Sequence, residues 1–278
     1  MIREEVREQI PFDWAPESEN GFLRRDWERA YFGGAKRFTS RDRKFDVYNP
    51  EGRPIPPQVC IDFISDTWER SAGSWYEPMS GDPLAPHPKR ELGPINLRQA
   101  DLKNRRSVHN FVHFTKHHPE LFDVWDLPKK ERVPFEKRDA FYEYLAKNPD
   151  QFRPGDVLIL YGTKEGGRPH YHSLFIFEVD PVTGVPTRVA GNAVFPREQT
   201  LEGIMQISPK RSIRHRIRLL RPWLELIAQK APEGDQAVDE GAADAAPPAP
   251  PEPAAPPQPA ASGSSSAAPS AAASASAR

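Results

Sequence analysis

The stretch Pro56-Pro57-Gln58-Val59-Cys60-Ile61-Asp62-Phe63-Ile64 decides how the chain is read. Cys60, Phe63, Ile64, Thr67 and Trp68 recur at helical spacing, which predicts an apolar-faced helix from Cys60 to about Ala72. Two prolines suit a helix entry, and Gly73 suits the position just past its end. Cys60 is the single cysteine of the chain, so there is no internal disulfide and no multi-cysteine zinc site. A thiol at a helix start faces unpaired backbone N–H groups and the positive end of the dipole. Both favour the reactive thiolate.

Further along, the character of the sequence changes. Asp156-Val157-Leu158-Ile159-Leu160-Tyr161 reads as a near-continuous apolar strand after the turn Arg153-Pro154-Gly155. Residues 162–167 read as a loop, His172–Val179 as a second strand, Thr187–Ala190 as a third and Ile217–Arg221 as a fourth. Before them come three more helical patterns. One lies within residues 1–35, on Phe22, Leu23, Trp27, Ala30 and Tyr31, and stops at Gly33-Gly34. Another begins near Ser107, carries Val108, Phe111, Val112 and Phe114 and ends before Pro119. The last spans about 134–147 and buries Phe141, Tyr142 and Leu145. The proline-rich and glycine-rich residues 76–97 are loop. Helices first and an antiparallel meander afterwards predict an α+β fold.

The chain has 278 residues and a formal net charge of −1. Residues 230–278 are Ala, Pro, Ser and acidic residues, too poor in apolar groups to offset chain entropy, and disorder is expected there. That leaves an N-terminal helical extension at 1–35 and one folded domain at 36–229. The prolines of the tail suit a spacer, or a partner that reads proline. A near-neutral chain argues against a nucleic-acid partner. The cluster Lys210, Arg211, Arg214, Arg216, Arg218 and Arg221 is a partial exception, read as exposed positions of a connector and a last strand. No stretch is apolar enough for a transmembrane segment, and the first residues lack a secretory signal, which read literally is a cytoplasmic start. Oligomeric state is not encoded in any pattern here.

Cys60, a downstream His172 and a polar Asn192, in that order, are the parts of a cysteine hydrolase. The thiolate attacks an amide carbonyl, the histidine moves the proton, and Asn fixes the ring tautomer. Helix-start amides near Ile61 supply part of an oxyanion hole, where one donor is worth ~3 kcal/mol. Each residue has a plainer reading. Cys60 can be an inert small hydrophobe. His170 lies on the same strand face as His172, which is preferred because Leu174 and Ile176 continue its inward side. Asn192 follows Gly191 as in a turn. His109, His113 and His117 stand at zinc-binding spacing, but no His-Glu-x-x-His pattern accompanies them and a solvated face is expected, so no metal and no cofactor is assigned.

The layout resembles the NlpC-type papain-like cysteine peptidases of the bacterial cell wall. There a nucleophile-bearing helix packs on an antiparallel sheet and a Pro-Gly-Asp-aliphatic strand leads to the histidine strand. Pro154-Gly155-Asp156-Val157-Leu158 and His172-Ser173-Leu174-Phe175-Ile176 are similar to those pieces. A less characterised bacterial branch, with a Val-Cys-Thr-Asp-Val-Val nucleophile motif, is closer to Val59-Cys60-Ile61-Asp62-Phe63-Ile64. Its Arg/Asn/Phe-bearing insert is similar to Arg106-Ser107-Val108-His109-Asn110-Phe111. The resemblance covers about residues 45–222 and departs from the common pattern at Val59, Ile61 and Leu174. It implies a papain-like core with a helical insert, a Cys60–His172–Asn192 triad, and a peptide or peptidoglycan stem-peptide substrate in the cell envelope. The alternatives are a non-catalytic binding module or an acyltransferase acting on an envelope or lipid ligand.

Overall fold

Val157-Leu158-Ile159-Leu160 is apolar at every position because helices cover both faces of its strand. The computed structural model describes residues 1–13, 22–82, 85–97, 105–163, 169–221 and 225, all within one compact unit, Met1–Pro232. The tail expected to be disordered, and residues 164–167 of the expected loop, lie outside the described residues, and Gly162 and Thr163 of that loop belong to a strand instead. Six antiparallel strands form the main sheet: β3 (Phe122–Asp126), β4 (Val157–Thr163), β5 (Pro169–Val179), β6 (Pro186–Asn192), β7 (Pro196–Thr200) and β8 (Ser212–Leu219), in the order β3-β8-β4-β5-β6-β7. A separate hairpin, β1 (Arg37–Ser40) and β2 (Arg43–Asp46), lies earlier in the chain. The protein is therefore mixed α+β with an antiparallel sheet.

One face of the main sheet packs on α3 (Cys60–Ser71) and α4 (Val108–His117). Phe63, Ile64 and Trp68 of α3 meet Val157, Ile159, Phe175 and Ile217, and Trp68 sits 5.7 Å from the rings of Phe111 and Phe122. The other face packs on α5 (Arg138–Ala146) and α6 (Leu201–Gln206), whose Phe141, Leu145, Ile204 and Met205 cover Leu158, Leu160, Leu174 and Ile176. The helix α2 (Phe22–Phe32) forms a third cluster, in which Trp27 and Tyr31 stack at 5.1 Å beside Tyr76.

The side of α3 that faces away from the sheet is also buried, and it is acidic. Asp66 receives two hydrogen bonds from Arg24, at 2.8 and 3.1 Å. Glu69 pairs with Arg90 and Arg105, and Asp62 accepts from Arg106 at 2.7 Å. Gln58 bridges Asp66 to Glu5 of α1 (Ile2–Arg7), with Nε2 donating at 2.9 and 2.7 Å. Arg70 donates to Glu5 and Glu8 at 3.0 and 2.7 Å. The N-terminal residues are thus bound into the fold through charge. Gly73 ends α3 at φ +79°, as its position predicts, and Gly93 lies so close to Ala72 that a Cβ there would meet the Ala72 carbonyl oxygen.

Several expectations need correction. The helix predicted from 134 begins at Arg138, because the Phe135 and Glu136 amides donate to Arg211 and Pro209 ahead of β8. Within it Tyr142 is half-buried. β8 starts five residues earlier than predicted, and a register shift between Ile159 and Leu160 leaves Arg214 as the extra residue of a bulge. The basic cluster is not uniformly exposed: Arg216 is 2 % exposed and donates to Asp123 at 2.7 Å, while Arg218 grips Asp156 through two bonds of 2.8 Å. Those two charges are spent inside the fold. No helix among the described residues is long and apolar enough to cross a membrane.

Replacing Arg24 by Ala leaves Asp66 buried and uncompensated, and a loss of about 3–5 kcal/mol in unfolding free energy is expected from urea denaturation. A loss near that of a surface pair would disprove the role of this charge. Glu5 gives a pH test. Burial raises its pKa to about 7, against the Arg70 charge. A carboxyl raised in the folded state contributes stability that is complete below about pH 4.3 and is lost as pH rises through about 7. Unfolding free energy is expected to fall over that window, and Glu5→Gln to flatten the fall; an unchanged slope would refute it.

Candidate functional site

Cys60 is the first residue of α3, and the local sequence explains why the helix starts there. The Val59 amide donates to Asp62 Oδ2 at 2.9 Å, so the side chain three residues in caps the open end. Arg106 holds the same carboxylate in place. The cysteine is half-buried and packs against the α3–α4 core. Its sulfur lies beside the amide and hydroxyl of Ser173 on β5. Burial pushes the thiol pKa up, and the Ser173 groups and the Ile61 amide only partly offset this, with Asp62 adding to the rise. The expected helix-start thiolate is therefore not the resting state.

Strand parity governs the other two residues. β4 pairs with β5 so that Leu160 faces His172, Ile159 faces Ser173 and Leu158 faces Leu174. Leu158, Leu160, Leu174 and Ile176 belong to the α5–α6 side, and His172 shares it. Ser173 and Phe175 point to the α3–α4 side, with Cys60. Asn192 is two residues past Ala190, which is in the α3–α4 core, so alternation places Asn192 on the cysteine side as well. Ser173 thus lies beside the Cys60 sulfur, while alternation assigns Asn192 to the same side of the sheet and His172 to the other, with the Arg211 charge acting on both Cys60 and His172.

His172 and Asn192 are buried, and His172 Nε2, Asn192 Oδ1 and Asn192 Nδ2 have no hydrogen-bond partner. Burial, with smaller contributions from Arg211 and His170, lowers the His172 pKa to about 3, so the ring is neutral at pH 7. No hydrogen bond joins Cys60 to His172 or His172 to Asn192 among the described residues. Ser173 Oγ likewise makes no hydrogen bond of normal geometry, although it is close enough to favour the thiolate.

A second polar group on the same sheet face was not visible in the sequence. His215 of β8 lies beside Asp126 of β3, Nδ1 to Oδ1 at 3.1 Å but without hydrogen-bond geometry, and both border a groove walled by His109, His113 and Lys116 of α4. Burial lowers the His215 pKa to about 4, against the pull of Asp126. Asp126 stays below the usual carboxylate range: burial opposes this, but a hydrogen bond from Lys116 and the charges of His215, Lys116 and Arg132 prevail. His215 fell within a stretch read as a connector, and Asp126 in a strand with no long apolar run, so neither carried a signal. His113 and His117 stack at 4.0 Å on the exposed side of α4. No group of three or more His, Cys, Asp or Glu among the described residues is placed to hold a metal.

Iodoacetamide labelling of Cys60 is expected to rise only above the ordinary thiol pKa of ~8.5. Ser173→Ala should push the midpoint higher still, and His172→Ala should leave it unchanged. A midpoint below the ordinary value that depends on His172 would overturn this placement. Compared with family models, curated proteins and solved structures, the chain matches none.

Proposed function

We propose that this chain is a papain-like scaffold that binds a cell-envelope peptide or lipid ligand without cleaving it. The papain-like assignment rests on the nucleophile-type helix packed against an antiparallel sheet, and on the motif resemblance around Cys60 and Pro154–Leu158. What supports the absence of cleavage is strand alternation, which assigns His172 to the face opposite Cys60, with no hydrogen bond between them among the described residues. A buried neutral imidazole on the far side cannot take the thiol proton, since a general base must be within hydrogen-bond reach.

The second reading is a thiol hydrolase, or an acyltransferase, acting on amide or isopeptide bonds of peptidoglycan stem peptides through Cys60, His172 and Asn192. Buried polar atoms without partners at His172 and Asn192 favour it, because such orphans call for a functional explanation. A one-residue shift of β5 against its neighbours would carry His172 to the cysteine side. That shift would also bury Leu174 against α3 and withdraw Phe175 from its contacts with Phe63 and Trp68, so it is costly.

Purified protein incubated with peptidoglycan or its stem peptides is expected to bind in a pull-down and to release no new amines. Cys60→Ser should bind equally well. Amine release by wild type that Cys60→Ser abolishes would replace the binding reading with the hydrolase. Neither binding nor release would remove the envelope ligand from both readings.

A further inference from the structure

We propose that the groove between α4 and strands β3 and β8 binds a small anionic group, a carboxylate or a phosphate. The proposal does not rest on Cys60. Its centre is Arg214, whose guanidinium lies 5.1 Å from the Tyr161 ring and 5.5 Å from the Tyr171 ring. Nη1 donates to the Tyr171 hydroxyl at 2.6 Å, while Nε is buried with no hydrogen-bond partner. Other arginines drawn into this fold, Arg24, Arg90, Arg106 and Arg216, each meet a carboxylate. Arg214 meets none among the described residues. A guanidinium held beside two rings, at the wall of a groove and with no carboxylate of its own, is suited to recognition of an oxyanion.

The backbone supports the same conclusion. Arg214 is the extra residue of the β8 bulge, and bulges re-aim a side chain out of the regular alternation. The bulge sends Arg214 to the tyrosines on the α4 side, while Ile213 remains with the α5–α6 core. The one acid in the groove, Asp126, is already taken up: Lys116 bonds it at 2.5 Å, Arg132 lies at 3.4 Å, and His215 at 3.1 Å. It therefore does not neutralise Arg214. His109 and His113 add donors at the exposed rim. The cavity is about 160 Å3. That is room for a carboxylate or phosphate group with its first waters.

The test is calorimetric titration of the full chain at pH 7 with inorganic phosphate and, separately, with acetate, in chloride buffer. Saturable binding of one or both at a single site is expected, which also distinguishes the two anions. Arg214→Gln should weaken it at least roughly tenfold, the scale of a lost charge-assisted bond. Lys116→Met should weaken it less, and Cys60→Ser should leave it unchanged. No saturable binding of either anion, or binding unaltered in Arg214→Gln, refutes the site. If Arg214→Gln does not fold, as judged by its melting curve, Lys116→Met and His113→Ala decide the matter by the same criterion: unaltered binding in both refutes it.

Discussion

The acidic flank of α3 is the constraint on which the fold depends. A helix with Phe63, Ile64 and Trp68 on one side and Asp62, Asp66 and Glu69 on the other reads as half-solvated, yet all six are buried. Ionised carboxylates in such a place are tolerable only with charged partners and satisfied hydrogen bonds. The partners come from far along the chain: Arg24 from α2, Arg90 from the long loop, Arg105 and Arg106 from the lead into α4. α3 therefore cannot be finished until these segments arrive. The same network closes the N-terminal residues over the helix through Glu5, Gln58 and Arg70. What reads as an extension at the start of the chain is a working part of the core.

This constraint also shows what a sequence makes legible. The Cys60 helix was readable at both ends, because prolines precede it, the apolar period is clean and Gly73 has the left-handed backbone that its position demands. The strands around Val157, His172 and Thr187 were readable from apolar runs and the turn at Asp180-Pro181. β3 was not, since Phe122-Asp123-Val124-Trp125-Asp126 is only five residues long and its two aspartates break both a continuous apolar run and a strict alternation. β8 was readable only at its end, because the bulge at Arg214 breaks the alternation that identifies a strand. The arginine–carboxylate pairs left no local signal, being separations of tens of residues.

The site shows a different limit. Alternation along β5 was readable, and Leu174 and Ile176 do share the buried side of His172. That this side meets Cys60 follows directly only for a sheet with one buried face, whereas this sheet has two. Once both are covered, an inward-pointing residue has two insides to choose from, and only the placement of α3 decides. Magnitude settles the thiol in the same way. A helix end contributes roughly 0.3–1 kcal/mol to a charge at its terminus. Burial of the charged form outweighs that here, so the thiol pKa is pushed up.

The two polar regions on the α3–α4 face lie along one row of the sheet. Asp126 pairs with His215, His215 with Ile159, and Ile159 with Ser173, beneath Cys60. Two strand spacings separate His215 from Ser173, about 10 Å, with Ile159 between them. At that distance, and without a shared hydrogen bond, substitutions at the two regions should combine additively. Tyr171 is the exception. It lies one alternation from Ser173 on the same strand face and also holds Arg214. Any coupling between a ligand in the groove and the environment of the sulfur has to pass through that strand and that ring.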